Sequence, residues 1–230
     1  MSEKITEKFE LYDVLGTLVP GLVAVGLIYT ALSWTGHKVE IPTMPEALQV
    51  LVLSAVAIVL GQLVQTLGSL LEGFYFWTWR GRPSDRALQG KSRRMSASQS
   101  AELKGRLNSH FLGNANQDMS DHEIFLCALS ICNHRSLGRV ARFNSLYAYH
   151  RALTTLLLTS TVTTLVIIFV VEPNPYAAWR VFILEAATTL LFWYRTKQRG
   201  MYFADEALRM ADLEVAQQTI AERTNLASQN

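Results

Sequence analysis

Apolar residues fall into four long blocks along this chain, and the charges lie between them. The segment from Thr154 to Arg195 sets the frame. It reads TTLLLTSTVTTLVIIFVV, then EPNPY, then AAWRVFILEAATTLLFWYR. At about 1.5 Å per residue, an apolar run of that length crosses the ~30 Å hydrocarbon core of a bilayer. A segment in lipid must satisfy its own backbone, so each run is expected to be a helix. The short turn makes the two a transmembrane hairpin.

The same pattern places spans at 14–34, 47–76, 152–171 and 177–195, with outer connections at 35–46 and 172–176. Residues 1–13 form a lead-in in which Ile5, Phe9 and Tyr12 fall on one helical face. Residues 77–151 form an insert between the second and third spans, and 196–230 a tail. The fold class is therefore an all-α membrane protein: four transmembrane helices, a small helical cytoplasmic insert and a helical C-terminal tail.

Helix signals organise the insert. Gly81 to Gln99 reads as a loop, and Ser100 to Leu112 as a helix ending near Gly113. Ser120-Asp-His-Glu123 is a capping box that starts a helix over Asp121 to Cys132. Leu137 to His150 is amphipathic and runs into the third span at Arg151. In the tail, Tyr202, Leu208 or Ala207, Ala211 and Val215 form a weak apolar stripe suited to the insert or to other tails in an oligomer.

Charge orients this layout. The chain carries a net +2, but from Trp77 to Arg151 there are 12 Lys/Arg against 5 Asp/Glu. Basic segments stay inside, which puts the insert, the tail and both termini in the cytoplasm. The second span ends in Phe74, Tyr75, Phe76, Trp77 and Trp79 followed by Arg80 and Arg82, an inner-boundary aromatic belt. The polar opening does not read as a secretory signal, so the first span is expected to serve as an uncleaved anchor. Cys127 and Cys132, in a cytoplasmic insert, are expected to be reduced thiols.

Polar residues inside the spans carry the candidate chemistry. Gln62, Gln65, Ser69 and Glu72 form one stripe on the second span, which should face protein or water. Counted from the span ends, Gln62, Thr161 and Glu185 reach a similar depth. With Gln65 they form a candidate mid-membrane polar layer. An intramembrane carboxyl persists only if it is buried in protein, hydrated or protonated, and a neutral Glu185 donating to Gln62 is the expected arrangement. The layer reads either as a clasp between spans 2 and 4 or as part of an ion or proton path. Gly16, Pro20, Gly21 and Gly26 on the first span are candidate packing positions, with a bend near Pro20. Lys91, Arg93 and Arg94, together with Arg135, Arg139 and Arg142, are candidate contacts to an anionic cue or lipid headgroup.

Other chemistry finds no support. His122, Cys127, Cys132 and His134 lack zinc-site spacing, since five residues along a helix turn about 140° from the starting face. No phosphate-binding glycine loop, nucleophile elbow or zinc-protease helix is present. No enzyme activity, metal or cofactor is expected. The basic segments lack interleaved aromatics, so nucleic acid is not the expected partner.

The opening FELYDVLGTLVPGLVAVGLIY, with Tyr12, Asp13, Pro20 and Gly21, and the run RFNSLYAYHRAL, with Arg142, Asn144, Tyr147 and Arg151, resemble small uncharacterised bacterial four-span inner-membrane proteins. Some of these occur in anti-phage islands. The resemblance implies a multi-pass protein of the bacterial inner membrane. The first expectation for function is an oligomer that permeabilises or depolarises the membrane on a cytoplasmic cue. The alternative is a non-conducting membrane scaffold that recruits a cytoplasmic protein partner.

Overall fold

The computed structural model describes residues 14–37, 44–92, 94–112, 119–135, 138–170 and 175–229. The expected lead-in over 1–13, half of the first outer connection and most of the EPNPY turn lie outside the described residues. Among those described, secondary structure is entirely helical. One π-helical turn, Val14–Leu18, leads into α1 (Val19–Trp34). It is followed by α2 (Glu46–Leu70), α3 (Glu72–Thr78), α4 (Pro83–Leu88), α5 (Ala97–Leu112), α6 (Asp121–His134), α7 (Gly138–Val170) and α8 (Pro175–Gln229).

Among the described residues, three helices are long and apolar enough to cross a membrane: Gly16–Trp34, Glu46–Leu70 and Arg139–Val170. The fourth expected segment, 177–195, is helical within α8. Arg180 and Glu185 interrupt its apolar run, and it does not join the other three on composition. Two pairs of expected segments are each continuous. Nothing breaks the chain between the amphipathic run ending at His150 and the third apolar block, because no proline or glycine falls between Arg139 and Val170. Likewise α8 continues without a stop from Pro175 through the tail.

The chain divides into two compact units, 1–74 with 145–196, and 75–144 with 197–230. In the first, α1 and α2 approach closely enough that their backbones nearly touch. A Cβ on Gly21 would lie 1.7 Å from the Ala57 carbonyl oxygen, and one on Gly61 would lie 2.1 Å from that of Thr17. Glycine is required at both crossings. Ala24, Val64, Ala152, Leu153 and Leu156 form the core, flanked by Leu27, Leu60, Tyr149 and Phe192. The outer surface of α2 is apolar: Val50, Leu51, Val59 and Leu70 are each at least 60% exposed. A helix apolar on nearly every face suits a lipid environment.

The second unit has a core of its own. The tail portion of α8 supplies Ala204, Ala207, Leu208, Ala211 and Val215, packed with Leu103 and Leu107 of α5, Ile124, Ala128 and Cys132 of α6, and Val140 of α7. These positions recur every three or four residues, so each helix turns one stripe inward. Fully burying each Leu or Ile contributes about 1.5–3 kcal/mol. The capping box at the start of α6 is formed. Ser120 Oγ accepts from the Glu123 N–H at 3.3 Å, and Glu123 Oε2 accepts from the Ser120 N–H at 2.8 Å. The stretch expected as loop after Gly81 contains α4, with Pro83 at its first position. Gly90, at φ +67°, ends that segment where a Cβ would strike Ala97. The aromatic belt is split: Trp77 is 76% exposed, whereas Tyr75 and Trp79, four residues apart, stack on each other inside the unit.

Candidate functional site

The polar side chains of the first unit are built around a gap in α1. Pro20 has no N–H, so the carbonyl of Gly16 lacks the donor that a helix normally supplies four residues on. Gln65 Nε2 of α2 donates to that carbonyl. Its Oε1 in turn accepts from Arg151 Nη2 of α7 at 3.3 Å. Arg151 Nη1 pairs with Glu72 Oε1, which also accepts from the Tyr147 hydroxyl at 3.5 Å. Gly68 makes room for this crossing, because a Cβ there would meet Thr155 Oγ1 at 3.2 Å and the Arg151 stem at 3.5 Å. The stripe expected on the second span therefore closes through two of its members, Gln65 and Glu72, onto a guanidinium.

Hydroxyls join α7 to the first part of α8. Thr154 and Thr196 share a hydrogen bond at 2.7 Å, Thr161 and Thr189 one at 3.0 Å, and Ser160 Oγ donates to Glu185 Oε1 at 2.6 Å. Glu185 was expected to meet Gln62. Gln62 is instead exposed on α2, and Ser160 takes that role because it lies on the helix facing Glu185. Thr161 also donates to the Leu157 carbonyl, so its hydroxyl serves its own helix and its neighbour. The second oxygen of Glu185, Oε2, is buried without a hydrogen-bond partner. Glu185 stands at the wall of a cavity of about 370 Å³ lined by Ala24, Leu60, Val64, Thr163 and Ile167 among others.

The candidate packing positions divide. Gly21 lies at the tight crossing; Gly16 and Pro20 are buried beside it, and Pro20 follows closely on the π-helical turn Val14–Leu18 that leads into α1. Gly26 faces open space, with nothing within 4 Å of a Cβ built there. Gly61, Gly68, Ser160 and the partnership of Arg151 with Glu72 were missed. A signal existed for the glycines: Ala57, Gly61, Val64 and Gly68 recur at helical spacing on one face, and small residues on such a face mark a close helix crossing.

In the second unit the candidate anion contacts have partners within the chain. Arg135 pairs with Glu214 at 3.0 Å, and Arg139 with Glu206 at 2.8 Å. Beside Arg135 a hollow of about 310 Å³ is lined by Ser130, His134 and Gln218. Arg142 is exposed. Lys91 donates to Gln89 at 2.9 Å, and the guanidinium of Arg94 lies 3.9 Å from the Tyr202 ring centre. Arg93 lies outside the described residues. Next to this loop, Asp205 Oδ2 accepts from Ser92 Oγ at 2.6 Å, while Oδ1 is buried with no partner. Burial raises the Asp205 carboxyl above its ordinary range, against the Ser92 hydrogen bond and the charges of Arg94 and Arg209, and Glu206 adds to the rise. Burial also pushes the Cys132 thiol up to about 11. That thiol donates to the Ala207 carbonyl and is not poised as a nucleophile. Among the described residues, no group of three His, Cys, Asp or Glu could hold a metal ion.

These arrangements can tie helices together, hold one carboxyl at an apolar cavity and present cations at a surface. No protein-family model matches the chain, and neither a curated protein nor a solved structure matches it.

Proposed function

We propose that the chain is a multi-pass protein of a bacterial inner membrane, crossing four times with both termini in the cytoplasm. Its helical second unit is held at the membrane as a non-conducting scaffold for a cytoplasmic protein partner. The observation that carries this reading is the closure of the polar set. Gln65, Glu72, Thr154, Thr161 and Thr189 each hydrogen-bond another group of the same unit, as does Arg151 through both Nη atoms, while its buried Nε has no partner. Groups so engaged fix helices to one another and leave little to coordinate a moving ion. A second unit with a separate apolar core suits the role of a presented module.

One observation favours a second reading, in which an oligomer permeabilises or depolarises the membrane on a cytoplasmic cue, as in anti-phage defence. Glu185 keeps one oxygen without a hydrogen bond at the wall of a cavity that Thr159 and Thr163 also line. Intramembrane carboxyls of this kind recur along ion and proton routes. The deciding experiment is membrane potential in cells expressing the chain, wild type beside Glu185→Gln at matched membrane levels. The scaffold reading expects the same potential in both and in cells without the chain. Depolarisation by the wild type that Glu185→Gln abolishes would replace it with the conducting one.

A further inference from the structure

The cavity beside Glu185 is built within the first unit, from α1, α2, α7 and the start of α8. Its volume of about 370 Å³ falls within the roughly 300–1,000 Å³ usual for small-molecule sites. Ile28, Leu63 and Leu67 line it and are also exposed, so it opens on the apolar outer surface. Among its described lining residues there is no Lys, Arg or His, and Glu185 is the one that ionises.

The polar groups around this carboxyl leave one need unmet. Ser160 Oγ donates to Glu185 Oε1 at 2.6 Å. The wall hydroxyls of Thr30 and Thr159 each donate to a carbonyl of their own helix, Gly26 O and Thr155 O, both at 2.8 Å. A hydroxyl has one proton to give, so these two keep only lone pairs. Glu185 Oε2 has no partner. The basic residue nearest to it along α8, Arg180, is five positions away, about 140° round the helix. Arg151 of α7 is engaged by Glu72 and Gln65. What the cavity lacks is a donor that carries positive charge, the group a buried carboxylate requires.

We propose that this cavity binds a lipophilic amine, its apolar body seated among the aliphatic side chains and its ammonium on the Glu185 carboxylate. Charge complementarity selects the amine over an alcohol of the same shape. A hydroxyl supplies a donor but leaves the carboxylate charge uncompensated. The carboxylate can turn to meet the ligand, because the terminal torsion of glutamate is broad and Glu185 is only half-buried as a residue. The site requires neither conduction nor a protein partner, so it stands apart from both roles considered above.

The test uses the full chain in neutral detergent and fluorine NMR of fluorophenylbutylamine, displaced by unlabelled phenylbutylamine or phenylbutanol. The two competitors share an apolar body and differ in charge. The variants are Glu185→Gln, which keeps a carbonyl acceptor for Ser160, and Ala31→Phe, which leaves the carboxyl and fills the cavity that Ala31 lines. Binding to the wild type saturates, and phenylbutanol competes about tenfold more weakly than phenylbutylamine. Glu185→Gln weakens the amine about tenfold and the alcohol little, whereas Ala31→Phe weakens both. The proposal is overturned if binding does not saturate, if the two competitors act equally on the wild type, or if Glu185→Gln binds the amine as the wild type does. Melts of each variant without ligand separate lost binding from lost folding. Should Glu185→Gln not fold, the preference of the wild type for amine over alcohol, and its loss in Ala31→Phe, decide.

Discussion

Gln65 of α2 donates to the carbonyl of Gly16, the acceptor that Pro20, having no N–H, cannot serve from four residues on. One amide thereby repairs the helix start across an interhelical distance and carries the chain of hydrogen bonds on to Arg151. Gln65→Leu should cost about 1–3 kcal/mol, since it strands a buried carbonyl. Pro20→Ala restores an N–H at that position, so adding it to Gln65→Leu should recover part of the loss. A double-mutant cycle by unfolding in mixed micelles checks this. Additive effects of the two substitutions would break the link between them.

The helix crossing makes a sharper contrast. Gly21→Ala and Gly61→Ala each drive a methyl into a facing backbone carbonyl, which has no flexible end to yield. Each should lower stability by about 3 kcal/mol or more, the upper end for overpacking. Gly26→Ala meets open space and should instead raise stability by about 0.5–1 kcal/mol through helix propensity. Thermal melts of the three variants in one detergent would show the opposite signs.

Stability should depend on pH through Asp205. Its carboxyl is raised in the fold by burial, so the folded state favours the protonated form. The sign follows from linkage: the contribution is fully present below the unfolded value of about 3.9. It is lost as pH rises through the higher folded value. Asp205→Asn, which keeps an acceptor for Ser92, should melt higher than wild type at pH 7. The gap should close near pH 4. A wild-type advantage at pH 7 would mean that the carboxylate itself is stabilised there.

The ion pairs of the second unit should differ with burial. Arg106 grips Asp212 through Nε and Nη2, at 2.8 and 2.7 Å, but is 44% exposed in its side chain. Arg106→Gln should cost no more than about 1 kcal/mol, and the loss should shrink in high salt. Glu206 is 7% exposed in its side chain, so Arg139→Gln leaves a nearly buried carboxylate without its cation. That substitution should cost about 2 kcal/mol and respond less to salt. Urea titrations at low and high ionic strength separate the two.

Some of this was legible in the chain before any fold was seen. Long apolar runs determine helices wherever water cannot serve the backbone, so the positions of the three membrane-length helices follow from composition alone. Local signals were equally readable. The Ser120–Glu123 capping box depends on groups three residues apart, and the inward stripe of the tail depends on a period of 3.6. The continuity of the amphipathic run with the third apolar block in α7 was also written there, in the lack of a proline or glycine between Arg139 and Val170.

Partnerships between distant residues were not legible, because sequence gives the face and depth of a side chain but not the rotation of one helix against another. Gln62 and Gln65 lie three residues apart in the same polar stripe. Only packing decided that Gln65 turns to Gly16 and Arg151 while Gln62 stays exposed. Depth counting gave Glu185 the partner Gln62, whereas Ser160 faces it from α7 and donates to it. The same holds for Arg151 and Glu72, far apart in the chain, which local chemistry reads as separate charges. The tertiary structure alone brings them together, because the electrostatics of a site depends on distances that the chain sets only once it has folded.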